Sequence, residues 1–228
     1  MRNQNNNNMS KIISVEGNIG SGKSTLLENL REKFNNNSNV IFLKEPVDEW
    51  ENIKDKNGST MLEKFYLDQK RYSFSFQMLA FISRLVLLKK TIKECPDNSI
   101  IITERSLITD KMVFAKMLYE SDKIEDVEYQ IYLKWFDCFC NDYPINKIIY
   151  IKSTPETCNN RINQRGRAGE EEISLSYLKS CNDYHDDMIY SLIEQNNVTI
   201  LELDGNINIK KNRETLDEWL NLVDNFIM

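Results

Sequence analysis

Ile12-Ile13-Ser14-Val15-Glu16 runs directly into Gly17-Asn18-Ile19-Gly20-Ser21-Gly22-Lys23-Ser24-Thr25, and the reading of the whole chain turns on this stretch. The second part fits G-x-x-x-x-G-K-[ST], the phosphate-binding loop. A Gly-Ser turn can match that pattern by chance, so context decides. Here an apolar β-run leads in, and Leu26-Leu27-Glu28-Asn29-Leu30-Arg31 continues as a helix. The glycines let the backbone curl so that successive N–H groups point at one anion, and the helix N-terminus adds partial positive charge. In such a loop Lys23 reaches the β- and γ-phosphates and the Ser24 hydroxyl ligates Mg²⁺. The expectation is a purine-triphosphate site.

Working outward, Val40 to Glu45 reads as a buried strand stopped by Pro46. A turn signal at Asn57-Gly58-Ser59 precedes a helical pattern from about 60 to 94, closed by Cys95-Pro96. Ser99 to Thr103 and Lys147 to Lys152 are short apolar strands of the kind buried on both faces of a parallel sheet. Two helical stretches, 107–120 and 126–141, lie between them. Thr154 and Pro155 supply an N-cap and a first-turn proline. A helix over 174–194, a strand over 198–203 and a C-terminal helix striped by Leu216, Trp219, Leu220, Val223, Phe226 and Ile227 complete the pattern. Five strands alternating with helices predict an α/β fold, a doubly wound and mostly parallel sheet of the P-loop type. Ligands of such sheets gather at the carboxyl ends of the strands, so motifs found there should converge.

With 228 residues, 41% of them hydrophobic and 28% charged, the chain suits one domain over residues 11–228. Residues 1–10 are polar and Asn-rich, read as a disordered tail without the apolar centre of a signal peptide. A net charge of −6 argues against a broad nucleic-acid surface. No apolar run approaches the ~18 residues of a membrane span. Five cysteines without zinc spacing fit reduced thiols in a cytoplasmic setting. The single histidine, His185, reads as a partly exposed side chain.

Three groups at strand ends carry candidate chemistry. Glu45 could accept a proton from an attacking hydroxyl, although taken alone it reads equally as an exposed loop acid. Glu104 follows the 99–103 strand, where P-loop enzymes place a carboxylate for Mg²⁺, and the adjacent Arg105 could clamp a phosphoryl group. The pair also reads as a surface ion pair. Arg161, Arg165 and Arg167 supply the cations that a small anion needs in an acidic chain. Arg161 and Arg165 share a helix face, and Gly166 and Gly169 suit a closing lid. The other reading is a solvated face.

At this point the chain resembles the deoxyribonucleoside kinases, the family of deoxycytidine, deoxyguanosine and mitochondrial thymidine kinases. The resemblance rests on the Gly17–Thr25 loop, on Glu45-Pro46-Val47 with Trp50, and on Tyr72 to Gln77. It extends through Ser83-Arg84, Glu104-Arg105-Ser106 with Asp110, and Thr154 to Cys158 leading to Arg165-Gly166-Arg167. It implies transfer of the ATP γ-phosphoryl group to the 5′-hydroxyl of a deoxyribonucleoside. In that transfer Glu45 is the base, Arg105 and Lys23 act on the phosphoryl group, and Ser24 and Glu104 stand on the Mg²⁺ side. It further implies that Tyr66 and Glu170 hold the 3′-hydroxyl, Gln77 reads the base edge, and Phe76 and Phe114 wall the ring. Trp50 belongs with these substrate-binding residues. Arg161, Arg165 and Arg167 become lid arginines over ATP, and Gly169 leaves the alignment of Glu170 open by one position. An Arg84–Asp110 pair resembles the cytosine and purine kinases, since thymine's 5-methyl needs the space that such a pair fills. The resemblance also suggests a homodimer packed through the 60–94 region. Two other readings stay open. A nucleoside monophosphate kinase shares the loop and lid, although Glu45 would repel a charged acceptor. A non-catalytic nucleotide switch is disfavoured because Asn146-Lys147-Ile148-Ile149 lacks the aspartate that reads guanine.

Overall fold

The computed structural model describes residues 10–140, 142–167, 169–196 and 198–228. The tail expected over 1–10 lies outside the described residues except for Ser10, whose hydroxyl sits 3.4 Å from the Cys95 sulfur. The strands are β1 (Lys11–Glu16), β2 (Val40–Leu43), β3 (Ile100–Glu104), β4 (Lys147–Lys152) and β5 (Thr199–Asp204). They form one sheet in the order β2-β3-β1-β4-β5, and every pairing is parallel. The expected sheet of mostly parallel strands is thus wholly parallel. The P-loop strand β1 lies at its centre.

Alternation along the central strands explains why both faces are covered. Ile12, Ile101, Ile148 and Tyr150 pack with Phe81, Leu85, Leu88, Tyr132, Phe136 and Met188. These side chains come from α4 (Gln69–Glu94), α7 (Asp126–Phe139) and α9 (Leu175–Glu194). On the other face Ile13, Val15, Ile102, Ile149 and Ile151 meet α1 (Lys23–Lys33) and α10 (Arg213–Ile227) through Leu26, Leu30, Trp219, Val223 and Ile227. The C-terminal stripe is core, as its spacing predicts.

Boundaries differ from the sequence reading where side chains cap the backbone. The single helix expected over 60–94 is two, α3 (Met61–Leu67) and α4. Asp68 between them leaves helical geometry, at φ −144° and ψ 78°, and accepts the Arg71 N–H. Such capping gives an aspartate an alternative to helix continuation. A capping box of Thr60 and Glu63 starts α3. Strand β2 stops at Leu43, so Glu45 stands clear of the sheet, and a short α2 (Val47–Asn52) follows Pro46. The 107–120 stretch is helical but not uniform. It consists of α5 (Leu107–Thr109), a π-helical segment Asp110–Ala115 and α6 (Lys116–Glu120). The helix expected over 126–141 ends at Phe139, and Asn141 lies outside the described residues. At α8 (Pro155–Arg165) the Thr154 hydroxyl accepts the Thr157 N–H, as anticipated. His185 is a correction: it is completely buried in α9.

Candidate active site

A cleft of about 720 Å³ opens at the carboxyl ends of the strands. At its floor the phosphate loop turns from β1 into α1. A Cβ added at Gly20, whose φ is +79°, would sit 2.7 Å from the Cys158 carbonyl oxygen. Gly22, at φ 111°, is the N-cap that aims α1 at the cleft. The Lys23 ammonium folds back onto the loop, donating to Gly17 O at 2.9 Å and Asn18 O at 2.7 Å. Burial, joined by the nearby Arg105 charge, lowers its pKa to about 7. Among the described residues Gly17 and Asn18 do not line the cleft, whereas Ile19 through Thr25 do. Asn18 instead ties the loop to α9 by donating to Leu178 O at 2.8 Å.

One wall is a charged circuit from four separate segments. Glu45 Oε1 accepts from Arg84 Nη2 and from Arg105 Nε, each at 3.2 Å. Arg84 also donates to Asp110 Oδ2 at 2.9 Å and to Glu104 O at 2.9 Å. Arg105 reaches Gly17 O at 3.0 Å. Burial by itself would raise the Glu45 pKa, but Arg105, Arg84 and Lys23 outweigh it and hold it down at about 2. Arg84 is likewise held charged against burial by Asp110 and Glu45. Arg105 adopts φ +63°, a left-handed conformation uncommon for a residue with a side chain. Such backbone occurs at sites where the surrounding structure dictates side-chain direction. Its guanidinium carbon lies 5.0 Å from the centre of the Phe114 ring.

Ser24 Oγ donates to Glu104 Oε1 at 2.6 Å, so a hydroxyl and a carboxylate converge beside the loop. Among the described residues no cluster of three or more His, Cys, Asp or Glu side chains could enclose a metal. Two hard oxygen donors with little else fit Mg²⁺, which keeps water and phosphate oxygens as most of its ligands.

The far end of the cleft is aromatic. Trp50 meets Phe76 edge-on at 5.4 Å and donates its indole N–H to Ser83 Oγ at 2.9 Å. Phe65 stacks on Phe76 at 4.6 Å. Gln77 lies beside them, buried, with an Oε1 that has no hydrogen-bond partner among the described residues. Phe114 meets His185 edge-on at 5.9 Å. Burial, helped by Arg105, lowers the His185 pKa to about 3. The neutral ring donates from Nδ1 to Cys181 O at 2.6 Å. It therefore supports the aromatic wall and carries no charge there.

Arg161, Arg165 and Arg167, expected to form a lid, are engaged. Arg161 donates to Ser21 O at 3.0 Å and to Ile207 O at 3.2 Å. Arg165 grips the buried Glu170 in a fork, with contacts of 3.0 and 2.7 Å, and Arg167 reaches the same carboxylate at 3.3 Å. Glu170 thus engages two of the three arginines. Tyr66 lines the cleft with it, its pKa raised by burial and by the Glu170 charge.

The cleft therefore gathers Glu45, Trp50, Tyr66, Phe76, Gln77, Arg84, Glu104, Arg105, Asp110, Phe114 and Glu170 with Ile19 through Thr25 of the loop and Arg161, Arg165 and Arg167. Sequence reasoning missed Tyr177, 6.4 Å edge-on from Tyr66. It also missed Ile207 to Lys210, which follow β5 and line the loop end of the cleft. The strand-end rule pointed to that segment, since it leaves the carboxyl end of an apolar strand just as Glu45 and Glu104 do. Tyr177 offered no signal, because an aromatic early in an amphipathic helix reads as core.

The chain is also similar to known proteins. A family profile described as deoxynucleoside kinase matches residues 13–228. Human deoxycytidine kinase is 34% identical over 234 residues, covering 91% of this chain and 88% of that protein. The mitochondrial deoxyguanosine kinase of Xenopus laevis is 30% identical over 240 residues, covering 95% and 89%. A probable deoxycytidine kinase of fowlpox virus is 35% identical over 199 residues, covering 86% and 79%.

Proposed function

The chain belongs to the deoxynucleoside kinase family, and from that premise we propose that it moves the γ-phosphoryl group of Mg·ATP to the 5′-hydroxyl of a deoxyribonucleoside in nucleotide salvage. The observation that carries this reading is Glu45, fixed at 3.2 Å from each of two arginines in the cleft that the phosphate loop floors. Phosphoryl transfer is mainly positioning and charge stabilisation. Lys23, Arg105 and the lid arginines supply the charge, and Glu45 receives the hydroxyl proton. Mg²⁺ held by Ser24 and Glu104 would neutralise charge on the phosphate oxygens. A pKa near 2 makes the free Glu45 a weak base. Substrate binding that draws Arg84 or Arg105 toward phosphate or base would strengthen it.

The aromatic end of the cleft suits a nucleobase, with Gln77 on its edge and Phe76 and Phe114 on its faces. The bidentate Arg84–Asp110 pair supports deoxycytidine or a purine deoxynucleoside over thymidine. Tyr66 and Glu170 are proposed to take the sugar's 3′-hydroxyl. A panel of deoxynucleosides and their 5′-monophosphates, assayed with Mg·ATP, tests this reading. Turnover is expected with deoxycytidine or a purine deoxynucleoside, little with thymidine and none with monophosphates. Phosphorylation of a monophosphate in place of nucleosides would overturn the reading.

We also infer a homodimer. Ile82 and Val86 on α4 are exposed, as are Val127, Ile131, Trp135 and Phe139 on α7. The α7 residues recur every fourth position and so share one face. Lys89 of α4 lies 5.7 Å from the centre of the Phe139 ring, joining the two stripes. A contiguous apolar face of this kind fits burial against a second copy. Replacing Ile131 and Trp135 together by glutamate is expected to convert a two-chain species into a folded single chain in sedimentation. An unchanged sedimentation coefficient would refute the assignment. Among the described residues no helix is long and apolar enough to cross a membrane. Five free thiols fit a reducing compartment such as the cytoplasm.

A further inference from the structure

Glu16 is a buried ionisable group beside the site that the reaction does not use. It ends β1, is fully buried, and directly precedes the phosphate loop. Its Oε2 accepts the Thr109 hydroxyl at 2.6 Å, while Oε1 has no hydrogen-bond partner among the described residues. A buried carboxyl group with one oxygen unpartnered costs stability whichever protonation state it holds. Packing alone therefore does not account for it.

Its single contact reaches the segment that builds the acceptor wall. Thr109 closes the short α5, and the next residue, Asp110, opens the π-helical segment Asp110–Ala115 that also carries Phe114. A π turn is a rare conformation, found mostly as a single turn and often at functional sites, and here side chains hold its start. Ser106 supplies part of that hold: its Oγ accepts the Thr109 N–H at 3.2 Å and lies 3.1 Å from the Thr109 hydroxyl. Glu16 supplies the part that connects to the sheet. On its other side, the carbonyl of the adjoining Gly17 is held by Lys23 at 2.9 Å and Arg105 at 3.0 Å. One carboxylate is thus a single residue from the phosphate loop and a single hydrogen bond from the residue preceding Asp110.

We propose that Glu16 is a positioning residue: through Thr109 it sets the π turn against the phosphate loop, and so places Asp110 and Phe114 around the acceptor. This rests on the nucleoside reading of the cleft given above. The role predicts a selective effect, because Asp110 and Phe114 face the acceptor while the loop's own glycines and Lys23 remain in place.

The test compares Thr109→Val, which keeps shape and removes the hydroxyl, with Thr109→Ser, Glu16→Ala, Glu16→Gln and the Glu16→Ala/Thr109→Val double variant. KM and kcat are measured for both substrates, with circular dichroism to verify folding. Thr109→Val and Glu16→Ala are expected to raise the acceptor KM by about ten-fold or more, as for loss of a buried hydrogen bond that leaves its partner unsatisfied. The ATP KM should not change. Thr109→Ser and Glu16→Gln, which retain a donor and an acceptor respectively, should restore the acceptor KM, and the double variant should be no worse than either single. A folded Thr109→Val with wild-type acceptor kinetics would overturn the proposal, as would equal losses for both substrates or additive effects of the pair. Should Glu16→Ala not fold, the two Thr109 variants decide alone. A wild-type protein that phosphorylates no deoxynucleoside would overturn the functional reading and this proposal together. An active wild type with an indifferent Thr109→Val would overturn only the latter.

Discussion

Glu45→Gln is expected to lower kcat by about 10²–10⁴-fold, the usual contribution of a positioned general base, while the deoxynucleoside still binds. The amide keeps the size of the carboxylate and can still accept from Arg84 and Arg105, so the wall should stand. What it lacks is the capacity to take the hydroxyl proton. Turnover by single-turnover kinetics, set beside nucleoside binding by fluorescence or calorimetry, separates the two effects. Retained turnover would remove Glu45 from the mechanism. The same residue predicts an acid-stability effect whose sign follows from its depressed pKa. Glu45 ionises near 2 in the fold against an ordinary value of 4.5, so its stabilisation is complete above 4.5 and is lost as pH falls toward 2. That is worth roughly 3 kcal/mol, an order-of-magnitude figure. Denaturant unfolding between these pH values should show the wild type losing stability more steeply than Glu45→Gln.

Asp110→Ala should give the largest loss of stability. Asp110 is buried and holds Arg84 through two contacts, at 2.9 and 3.3 Å. Removing one member of such a pair leaves a buried charge with part of its compensation gone, which costs about 3–5 kcal/mol. For a chain of this size that corresponds to a fall in Tm of about 10 °C. Activity should fall with it, because Arg84 also holds Glu45 at 3.2 Å. Arg84→Met together with Asp110→Ala removes both charges and should recover most of the lost stability, since replacing a buried pair by apolar groups is often neutral. It also opens room for a 5-methyl group, so the thymidine-to-deoxycytidine ratio of kcat/KM should rise by about ten-fold or more. Differential scanning fluorimetry and acceptor kinetics read the two effects separately. An unchanged ratio in the folded double variant would assign the pair to propping Glu45 alone.

Arg84 shows why the site was only partly legible in the chain. Its place in the motif was visible and so was Asp110, and the structure brings them together. That Arg84 also spans to Glu45 and to the Glu104 carbonyl has no sequence signal, because no spacing relates position 84 to 45 or 104 when α4 can rotate or shift along the sheet. Glu170 is similar. Three arginines beside Gly166 and Gly169 suggested a lid, but the fork by which Arg165 and Arg167 hold Glu170 has no signal in their spacing. His185 erred in the opposite direction, since polar neighbours along α9 masked a side chain that faces Phe114.

Periodicity, capping residues and the glycine-lysine loop are local properties of the chain. They sufficed to determine five strands in a mostly parallel sheet, the helical stretches between them in outline, the anion cradle before α1 and the strand ends that line the cleft. The break at Asp68, the π turn after Thr109, the two-arginine grip on Glu45 and the burial of Glu16 and His185 were decided only in three dimensions. Each depends on which side chains meet across gaps of tens of residues, and hydrogen-bond geometry over such distances follows from how helices seat on the sheet.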